Sequence, residues 1–305
     1  MGTTTTPGIE SLVTEKDIQQ YLERGFWISP KLLTDEQIAR LNRAHERIWS
    51  GEIDGEGFYY EGKAVETDFS SPAIRKMVNG WWINDEVRLA ALSSLIGKVS
   101  AALMRCPAAR LWHDQVIEKP GAGPGEAGLS GNVGWHQDYA YWQCADTTNM
   151  ISAWVALQDT DLSNGAMMTL VGSNHWGVLS DSASFKDLDL SALRRRFEPQ
   201  MKGGAWVEEP CNLKAGQVSF HHALCLHGSG PNTTNKPRRC ITVHAMPDGT
   251  AYKRQLPPGS KPAQAYHTNV RLLGPRPHTG QKFDNSYFPL LNDPTYEAEV
   301  LRELR

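Results

Sequence analysis

The chain has 305 residues, of which 40% are hydrophobic and 21% charged, and its formal net charge is -3 at pH 7. This composition is ordinary for a globular protein, and the slight acidic excess argues against a nucleic-acid surface, which would need a basic patch. The five cysteines include no Cys-x-x-Cys pair, and no apolar run approaches the ~18 residues that span a bilayer. We therefore expect a cytoplasmic protein with no disulfide framework and no membrane contact.

Helix-capping residues mark two helices near the amino terminus. Thr14 is predicted to open a helix of about ten residues, and the apolar segment 25–28 predicts the first strand. Thr34 and Gln37 have the spacing of a capping box, and an apolar stripe continues from them to about Trp49. The chain is therefore expected to begin with two helices that flank a short strand.

The next part of the chain is predicted to contain a loop and a third helix. Residues 51–80 are rich in glycine, acids and aromatics without a clear period, so we predict a long loop that acts as a lid. Asn84 is the predicted N-cap of the strongest helix, which Pro107 is expected to end. We therefore predict that residues 1–107 form a mostly helical flank with a lid loop.

From Arg110 onward the pattern changes to short strands separated by turn clusters. The predicted strands are 110–118, 135–142, 150–158, 166–171, 216–227 and 238–246. A further helix is predicted within 181–197. Many short strands after a helical start predict a mainly β protein, a jelly-roll or related barrel with flanking amino-terminal helices.

No internal repeat or linker indicates a second domain, so we predict one domain over residues 1–305. Within it, the β core is expected over residues 108–250. A carboxy-terminal extension is expected over residues 251–305.

Three residues suggest a metal centre. His136 and Asp138 are two residues apart, and on a strand such side chains point to one face. His227 is predicted to close a strand just before a Gly/Pro-rich turn, from which it would face the mouth of a barrel. Two histidines and one carboxylate leave open positions on a metal, an arrangement diagnostic of non-haem Fe(II) oxygenases.

Arg238 lies eleven residues beyond His227, at the start of the next predicted strand. A guanidinium group binds a carboxylate through two parallel hydrogen bonds. Arg238 is therefore predicted to grip a dicarboxylate co-substrate. The adjacent Arg239 is expected to point to the opposite face of the strand.

Several ordered motifs resemble the phytanoyl-CoA dioxygenase family of Fe(II)/2-oxoglutarate oxygenases, from about Trp112 to Met246. They are His113-Asp114-Gln115 with Lys119-Pro120, Trp135-His136-Gln137-Asp138, Ala153-Trp154-Val155-Ala156-Leu157, Asn164-Gly165-Ala166, Gly172-Ser173-Asn174-His175-Trp176, His227-Gly228-Ser229-Gly230-Pro231-Asn232 and Arg238. The sequence departs from the family pattern in the fifth motif, which has one extra residue before His175.

The resemblance implies a double-stranded β-helix (jelly-roll or cupin-like) core, with Fe(II) as metal and 2-oxoglutarate and O2 as co-substrates. It implies that His136, Asp138 and His227 bind the iron. It further implies that Arg238 binds the distal carboxylate of 2-oxoglutarate, while Ser229 and Trp154 help to seat it. The expected reaction is hydroxylation or desaturation with release of succinate and CO2. The presence of Asp138 argues against halogenation, since halogenating relatives replace this residue with a small one.

Other polar and aromatic residues are candidates for binding co-substrate or substrate. Gln115 and His113 share one strand face by parity, so Gln115 is predicted to touch the co-substrate and His113 the substrate, with structural hydrogen bonding as the alternative. Substrate contacts are also predicted for four aromatics in or beside the lid and the ligand strand, and ordinary packing is the alternative for them. These are Phe58, Tyr60, Tyr139 and Tyr141. Their abundance predicts a largely apolar substrate pocket.

The leading interpretation is an oxygenase acting on a small molecule, a secondary metabolite or small acid, with no nucleic-acid or membrane partner. A metal hydrolase with the same three ligands is a second interpretation, although Arg238 and Ser229 would then have no evident task. A third is a non-catalytic metal-binding β-barrel that senses a ligand. Sequence alone indicates neither the substrate nor the oligomeric state.

Overall fold

The structure is a computed structural model that describes residues 12–52, 54, 66–71, 74–123, 131–254, 267–291, 293 and 295. The helices whose bounds it gives are α1 (Glu15–Arg24), α2 (Asp35–Ser50), α3 (Asp85–Ala91), α4 (Ser94–Leu103) and α5 (Leu190–Phe197). No helix in these described ranges is long and apolar enough to cross a bilayer.

Local capping places the first two helices where they were predicted. The Thr14 side chain accepts a hydrogen bond from the backbone of Asp17, and α1 ends at Gly25, whose φ of 83° a glycine adopts readily. Thr34 and Gln37 form the predicted capping box of α2. The helix predicted within 181–197 is also confirmed, as α5.

The single helix predicted between Asn84 and Pro107 is wrong, because the structure has two. Asn84 caps α3 by accepting from the backbone of Glu86 and Val87. Ser93 then leaves the helical conformation, with φ -56° and ψ 116°, and its hydroxyl accepts from the backbone N–H of Ile96 to begin α4. The continuous apolar spacing concealed this break, since a serine cap competes locally with helix continuation.

Eleven strands form two antiparallel sheets in the described part of the chain. They are β1 (Phe26–Ile28), β2 (Glu66–Ser71), β3 (Ile74–Val78), β4 (Ala109–Lys119), β5 (Val133–His136), β6 (Ile151–Ala156), β7 (Met167–Leu170), β8 (Glu208–Pro210), β9 (Val218–His222), β10 (His227–Ser229) and β11 (Arg238–Pro247). The larger sheet has the order β1-β9-β6-β11-β4-β3-β2, and the smaller has the order β5-β10-β7-β8. The mainly β class with amino-terminal helices is thereby confirmed.

The prediction of a loop throughout 51–80 is wrong. Strands β2 and β3 pair with each other, and β3 pairs with β4 with Lys76 opposite Ile117. This pairing extends the larger sheet, and it depends on a partner far along the chain, which periodicity cannot reveal. The predicted lid residues Phe58 and Tyr60 lie outside the described residues.

Two predicted strands end earlier than expected. The strand predicted for 135–142 stops at His136, and a 3₁₀ turn follows over Asp138–Tyr141. The strand predicted for 216–227 stops at His222, so His227 begins β10 rather than closing a strand. The Gln137 side chain explains the first change, because its amide donates to the backbone of Gly177 and Leu224 and draws the chain out of the sheet.

Apolar clusters fix both sheets around the site. The largest cluster packs α1 to α4 against the larger sheet, with Val87 and Val99 fully buried. A second cluster joins Ile117 and Trp154 of the larger sheet to Met167 of the smaller sheet. Because this contact lies between the sheets, it holds strands β5 and β10 at a set distance from β6 and β11.

Candidate metal centre

Strand pairing brings the three predicted ligands together. His136 and His227 lie opposite each other in the antiparallel pair β5 and β10. The Nε2 atom of His136 is 3.7 Å, and that of His227 is 3.8 Å, from Oδ1 of Asp138. One potential ligand atom from each residue lies within 4.8 Å of the others, and no other group of this kind occurs among the described residues. The spacing suits a single metal ion.

Both imidazoles are held with Nε2 turned toward this point. Nδ1 of His136 is 2.7 Å from the carbonyl of Gly134, and Nδ1 of His227 is 2.9 Å from the carbonyl of Cys225. Since a carbonyl only accepts, each Nδ1 donates, and Nε2 keeps the lone pair that a metal needs. Burial lowers the pKa of His136 and, more strongly, that of His227. Both rings are therefore neutral, as metal ligands must be.

The Asp138 carboxylate is oriented through its other oxygen. Its Oδ2 accepts from Ser152 Oγ at 2.5 Å and lies 3.2 Å from His221 Nε2, which leaves Oδ1 facing the two histidines. Burial alone would raise the pKa of Asp138. The hydrogen bond from His221 and the histidine rings around the carboxylate outweigh this effect, so the pKa of Asp138 lies well below its usual range. Asp138 is ionised and ready to bind a cation.

Ser152 connects Asp138 to a further histidine. A serine hydroxyl has one proton, and Ser152 donates it to Asp138. Nδ1 of His244 lies 2.7 Å from the same hydroxyl oxygen, so it must be the donor of the second hydrogen bond. His244, Ser152 and Asp138 thus form a directed chain that positions the carboxylate.

An inner cavity leads from the three candidate ligands to a basic end between the sheets. Its walls include Gln115, Trp154, Ser229 and Arg238. Arg238 is 4% exposed, and its guanidinium carbon lies 5.2 Å from the centre of the Trp154 ring. Its Nη atoms donate to Cys240 Sγ and the Gly165 carbonyl, while its buried Nε has no partner in the described chain. Arg238 therefore retains a donor that a bound group can use.

Lys119 adds a second buried cation at this end. It lies directly opposite Arg238 in the pairing of β4 with β11. Its Nζ donates to Ser229 Oγ at 2.7 Å and to the Gly230 carbonyl at 2.5 Å. Within the described ranges, no carboxylate forms an ion pair with Lys119 or Arg238. By contrast, Arg239 faces the other way, as predicted, and pairs with Glu118 through a 2.8 Å contact.

An outer cavity of about 520 Å³ adjoins the candidate metal ligands His136 and Asp138. It shares Gln115, His136 and Asp138 with the inner cavity, and His113 and Tyr141 line it. Its described lining is not largely apolar as predicted. Charged side chains stand among the aromatic ones: Lys76, Lys186 and Asp187 beside Trp142 and Phe185.

Tyr139 is placed differently from its prediction as a substrate contact. Its side chain is 2% exposed and belongs to the main apolar cluster rather than to either cavity wall. The hydroxyl donates to the Ala145 carbonyl at 2.9 Å and accepts from Lys253 Nζ. The 3₁₀ turn causes this, because it rotates Tyr139 away from the face it would take on a strand.

Four polar residues of this region were not predicted as functional: Lys119, Ser152, His221 and His244. Strand parity contained the signal for two of them. His244 has the same parity as Arg238 along β11, and Ser152 has the same parity as Trp154 along β6, so each pair shares a strand face. His221 contacts Asp138 and lines the inner cavity, and its contact with Asp138 depends on the sheet order rather than on parity.

Comparison with known proteins connects this geometry to one family. The family model described as phytanoyl-CoA dioxygenase matches residues 21–240. The peroxisomal phytanoyl-CoA dioxygenase of Rattus norvegicus is 26% identical over 234 residues, which cover 73% of this chain and 65% of the rat protein, slightly under two thirds. A probable alpha-ketoglutarate-dependent hypophosphite dioxygenase of Stutzerimonas stutzeri is 25% identical, covering 74% and 76%. An ectoine dioxygenase of Streptomyces avermitilis is 25% identical, covering 79% and 80%.

Solved structures share the fold. The alpha-ketoglutarate-dependent carbocyclase SnoK from nogalamycin biosynthesis has a TM-score of 0.67 at 18% identity, covering 94% of this chain and 99% of that protein. The epimerase SnoN, solved with Fe3+, alpha-ketoglutarate and nogalamycin RO, has a TM-score of 0.66 at 22% identity, covering 91% and 98%. EctD from S. alaskensis, solved with 2-oxoglutarate and 5-hydroxyectoine, has a TM-score of 0.59 at 18% identity, covering 83% and 81%. These similarities confirm the jelly-roll core.

Proposed function

The chain belongs to the phytanoyl-CoA dioxygenase family, and on this premise we propose that it is an Fe(II)/2-oxoglutarate-dependent oxygenase of a small molecule. One observation carries the proposal. A single cavity is lined by two histidines and a carboxylate and also by the buried Arg238, which has no described counter-ion, and Lys119 lies behind Ser229 of the same cavity wall. A metal ion would bind the two histidines and the carboxylate, and one carboxylate of a dicarboxylate would bind Arg238.

His136, Asp138 and His227 are the proposed Fe(II) ligands. Two imidazole nitrogens and one carboxylate oxygen suit Fe(II), and three protein ligands leave positions for co-substrate and O2. Bound Fe(II) with 2-oxoglutarate and O2 supplies the oxidising chemistry and releases succinate and CO2. The protein's part is to keep both histidines neutral and to hold Asp138 Oδ1 toward the metal.

Arg238, Ser229, Trp154 and Gln115 are the proposed 2-oxoglutarate site. A carboxylate in the inner cavity would receive donors from Arg238, whose Nε has no described partner. The Trp154 ring backs the guanidinium and restricts its movement. Gln115 lies where the two cavities meet, so its amide is placed to contact a co-substrate that reaches toward the metal.

The outer cavity is the proposed substrate site. Its volume falls in the range of small-molecule pockets, and it opens beside Asp138 and His136. His113 and Tyr141 are proposed substrate contacts there, and Phe58 and Tyr60 stay predictions. Hydroxylation is the proposed outcome, with desaturation as the variant reaction, on a secondary metabolite or small acid. The names of the relatives include phytanoyl-CoA, ectoine and hypophosphite, so family membership alone does not select a substrate.

The competing interpretations explain less of the site. A metal hydrolase or a non-catalytic metal sensor would use the three ligands but would leave Lys119 and Arg238 as two buried cations without a role. Burying unpaired charge is costly, and such cost is expected only where a ligand offsets it. The pair therefore favours an enzyme with a dianionic co-substrate.

We further propose that the chain is one cytoplasmic domain. The five cysteines are free, and four are buried, which suits a reducing compartment. The carboxy-terminal segment contacts the β core directly, since the backbone N–H of Leu111 donates to Pro289 and that of Leu291 donates to Ala109. Fractionation of cells that express the native chain tests the location.

The activity is tested by following 2-oxoglutarate and succinate by NMR with Fe(II), O2 and a panel of small acids and metabolites. We expect succinate to form in a one-to-one ratio with the 2-oxoglutarate consumed. The Asp138→Ala variant should lose this activity, while Lys214→Met, which changes an exposed ion pair with Asp159, should keep it. Metal-dependent hydrolysis of a substrate without succinate would refute the proposal.

A further inference from the structure

A segment near the carboxy terminus differs in charge from the rest of the chain. Residues 249–283 contain six of the chain's 31 lysines and arginines and none of its 34 aspartates and glutamates, although the formal net charge of the whole chain is -3. The match to the family model ends at residue 240, so the segment lies outside it. This concentration of positive charge is therefore a feature of this chain beyond the shared core.

Three arginines of the segment line one cavity, which we call the arginine-lined cavity. Its volume is about 580 Å³, and its described lining includes Arg254, Arg271 and Arg276 but no carboxylate. No carboxylate of the described chain forms an ion pair with any of the three. A cleft lined by one sign of charge concentrates ligands of the opposite sign, and guanidinium groups bind oxyanions through paired hydrogen bonds. The cavity therefore suits a carboxylate, sulfate or phosphate group.

Hydrogen bonds hold the backbone that carries these arginines. The N–H of Arg254 donates to Thr279 Oγ1 at 3.0 Å. Arg271 lies in a 3₁₀ helix over Thr268–Leu273, and the Gln281 amide donates to the last carbonyl of this helix at 2.8 Å. Because these contacts tie the parts of the segment to one another, an anion would meet a preorganised backbone and would not have to order it on binding.

The arginine-lined cavity shares a wall with the outer cavity. His267 and Thr268 line both cavities. The His267 ring stacks on the ring of His113 with centroids 4.7 Å apart, and His113 lines the outer cavity. The candidate ligands His136 and Asp138 line the outer cavity and are absent from the described lining of the arginine-lined one. A molecule with its charged group among the arginines can therefore extend past His267 toward the metal ligands.

We propose that the arginine-lined cavity binds an oxyanion of the substrate and so places the body of the substrate in the outer cavity, beside the metal ligands. This inference rests on the proposed function. It narrows the substrate to small molecules that carry a carboxylate, sulfate or phosphate away from the reacting carbon. Arg254, Arg271 and Arg276 are specificity-determining residues, and none of them is in the described lining of the inner cavity, where 2-oxoglutarate is proposed to bind.

The test is isothermal titration calorimetry on the full-length protein loaded with Mn(II) and saturated with 2-oxoglutarate, so that Arg238 is already occupied. The ligands are inorganic sulfate, naphthalene-2-sulfonate and the uncharged naphthalene-2-sulfonamide, all at one ionic strength. The sulfonate should bind more tightly than sulfate, because its rings can reach Trp142 and Phe185 of the outer cavity. The sulfonamide should bind about tenfold more weakly than the sulfonate, the loss expected for a charge-assisted contact.

Three variants locate the charge that matters. Arg271→Gln combined with Arg276→Gln should raise the dissociation constants of sulfate and the sulfonate about tenfold and leave those of the sulfonamide and 2-oxoglutarate unchanged. Arg271→Lys combined with Arg276→Lys keeps both charges and should lose less affinity. Arg195→Gln is the matched control, because Arg195 is an exposed arginine of α5, and it should change none of the four constants.

The outcomes separate this inference from the function on which it rests. Failure of both anions to bind, or unchanged binding in the double glutamine variant, would overturn the anion site. Equal affinities for sulfate and the sulfonate would overturn the link to the outer cavity, since the site would then hold a free anion rather than part of a substrate. These results would leave the co-substrate assignment intact. A wild-type protein that binds Mn(II) but not 2-oxoglutarate would refute the proposed function itself.

Discussion

Replacing Ser152 by alanine should weaken metal binding although Ser152 is not a proposed ligand. The hydroxyl is fully buried and makes two contacts, as a donor to Asp138 at 2.5 Å and as an acceptor from His244 at 2.7 Å. Without it, Oδ2 of Asp138 keeps His221 alone as a hydrogen-bond donor. The carboxylate is then free to rotate, and Oδ1 no longer faces the two imidazoles in a single orientation.

Two magnitudes follow from these contacts. A hydrogen bond to a charged group contributes about 1.5–3 kcal/mol, so the free energy of unfolding of the metal-free protein should fall by about 2 kcal/mol. Partners that orient a ligand typically contribute 10–100-fold to metal affinity. The Fe(II) dissociation constant of Ser152→Ala should therefore rise at least about tenfold.

The assay is anaerobic competition for Fe(II) against a chromogenic chelator, together with urea unfolding in EDTA. Ser29→Ala is the matched control, because Ser29 is also buried and its hydroxyl also has two contacts, with Pro30 and Val218. This control should lose stability but keep wild-type metal affinity. If Ser152→Ala lost only stability and bound Fe(II) as tightly as the wild type, the orienting role of Ser152 would be refuted.

Three other substitutions test separate parts of the structure. Burial raises the pKa of Asp114 to about 7, so the native state holds a proton that the unfolded chain releases, and stability should fall as pH rises from 4 to 7. In urea titrations at several pH values, Asp114→Asn should flatten this fall relative to the wild type; parallel curves would contradict the assignment. A Cβ at Gly134 would lie 2.2 Å from the Ser184 carbonyl, so Gly134→Ala should lower the free energy of unfolding by about 2 kcal/mol, and an unchanged urea midpoint would refute the packing. Tyr139→Phe should cost about 1 kcal/mol of stability through the lost bond to Ala145 without changing the substrate KM, and a raised KM at unchanged stability would restore its role as a substrate contact.

The parts of the fold that were predictable are those encoded in neighbouring residues. The capping box of Thr34 and Gln37 depends on a three-residue spacing, and it sets the start of α2 in the structure as it does in the sequence. The break at Ser93 was missed because the apolar spacing runs through it. Strand β3 was missed because its pairing partner, β4, lies some forty residues away at Lys76 and Ile117.

The candidate site was predictable where one residue type has a restricted chemistry. His136, Asp138, His227 and Arg238 were found by type and spacing, and the structure brings them to one cavity. The local structure differs from the prediction that both ligands share a strand, since His136 ends a strand and Asp138 opens a 3₁₀ turn.

The supporting residues of the site were less accessible to sequence reasoning. Lys119 contacts Ser229, which is 110 positions away, and Ser152 contacts His244, which is 92 positions away. Such contacts depend on sheet order and register. Lysine and serine are also common on protein surfaces, so their types alone did not indicate burial.

The most direct test of the account is the visible spectrum of the protein reconstituted anaerobically with Fe(II) and 2-oxoglutarate. The wild type should show a weak metal-to-ligand charge-transfer band, because the co-substrate would bind the iron through its 1-carboxylate and 2-oxo groups. Asp138→Ala and Arg238→Ala should both diminish the band, the first through the metal and the second through the distal carboxylate. A wild-type protein that retains bound iron but shows no band with 2-oxoglutarate would contradict the account.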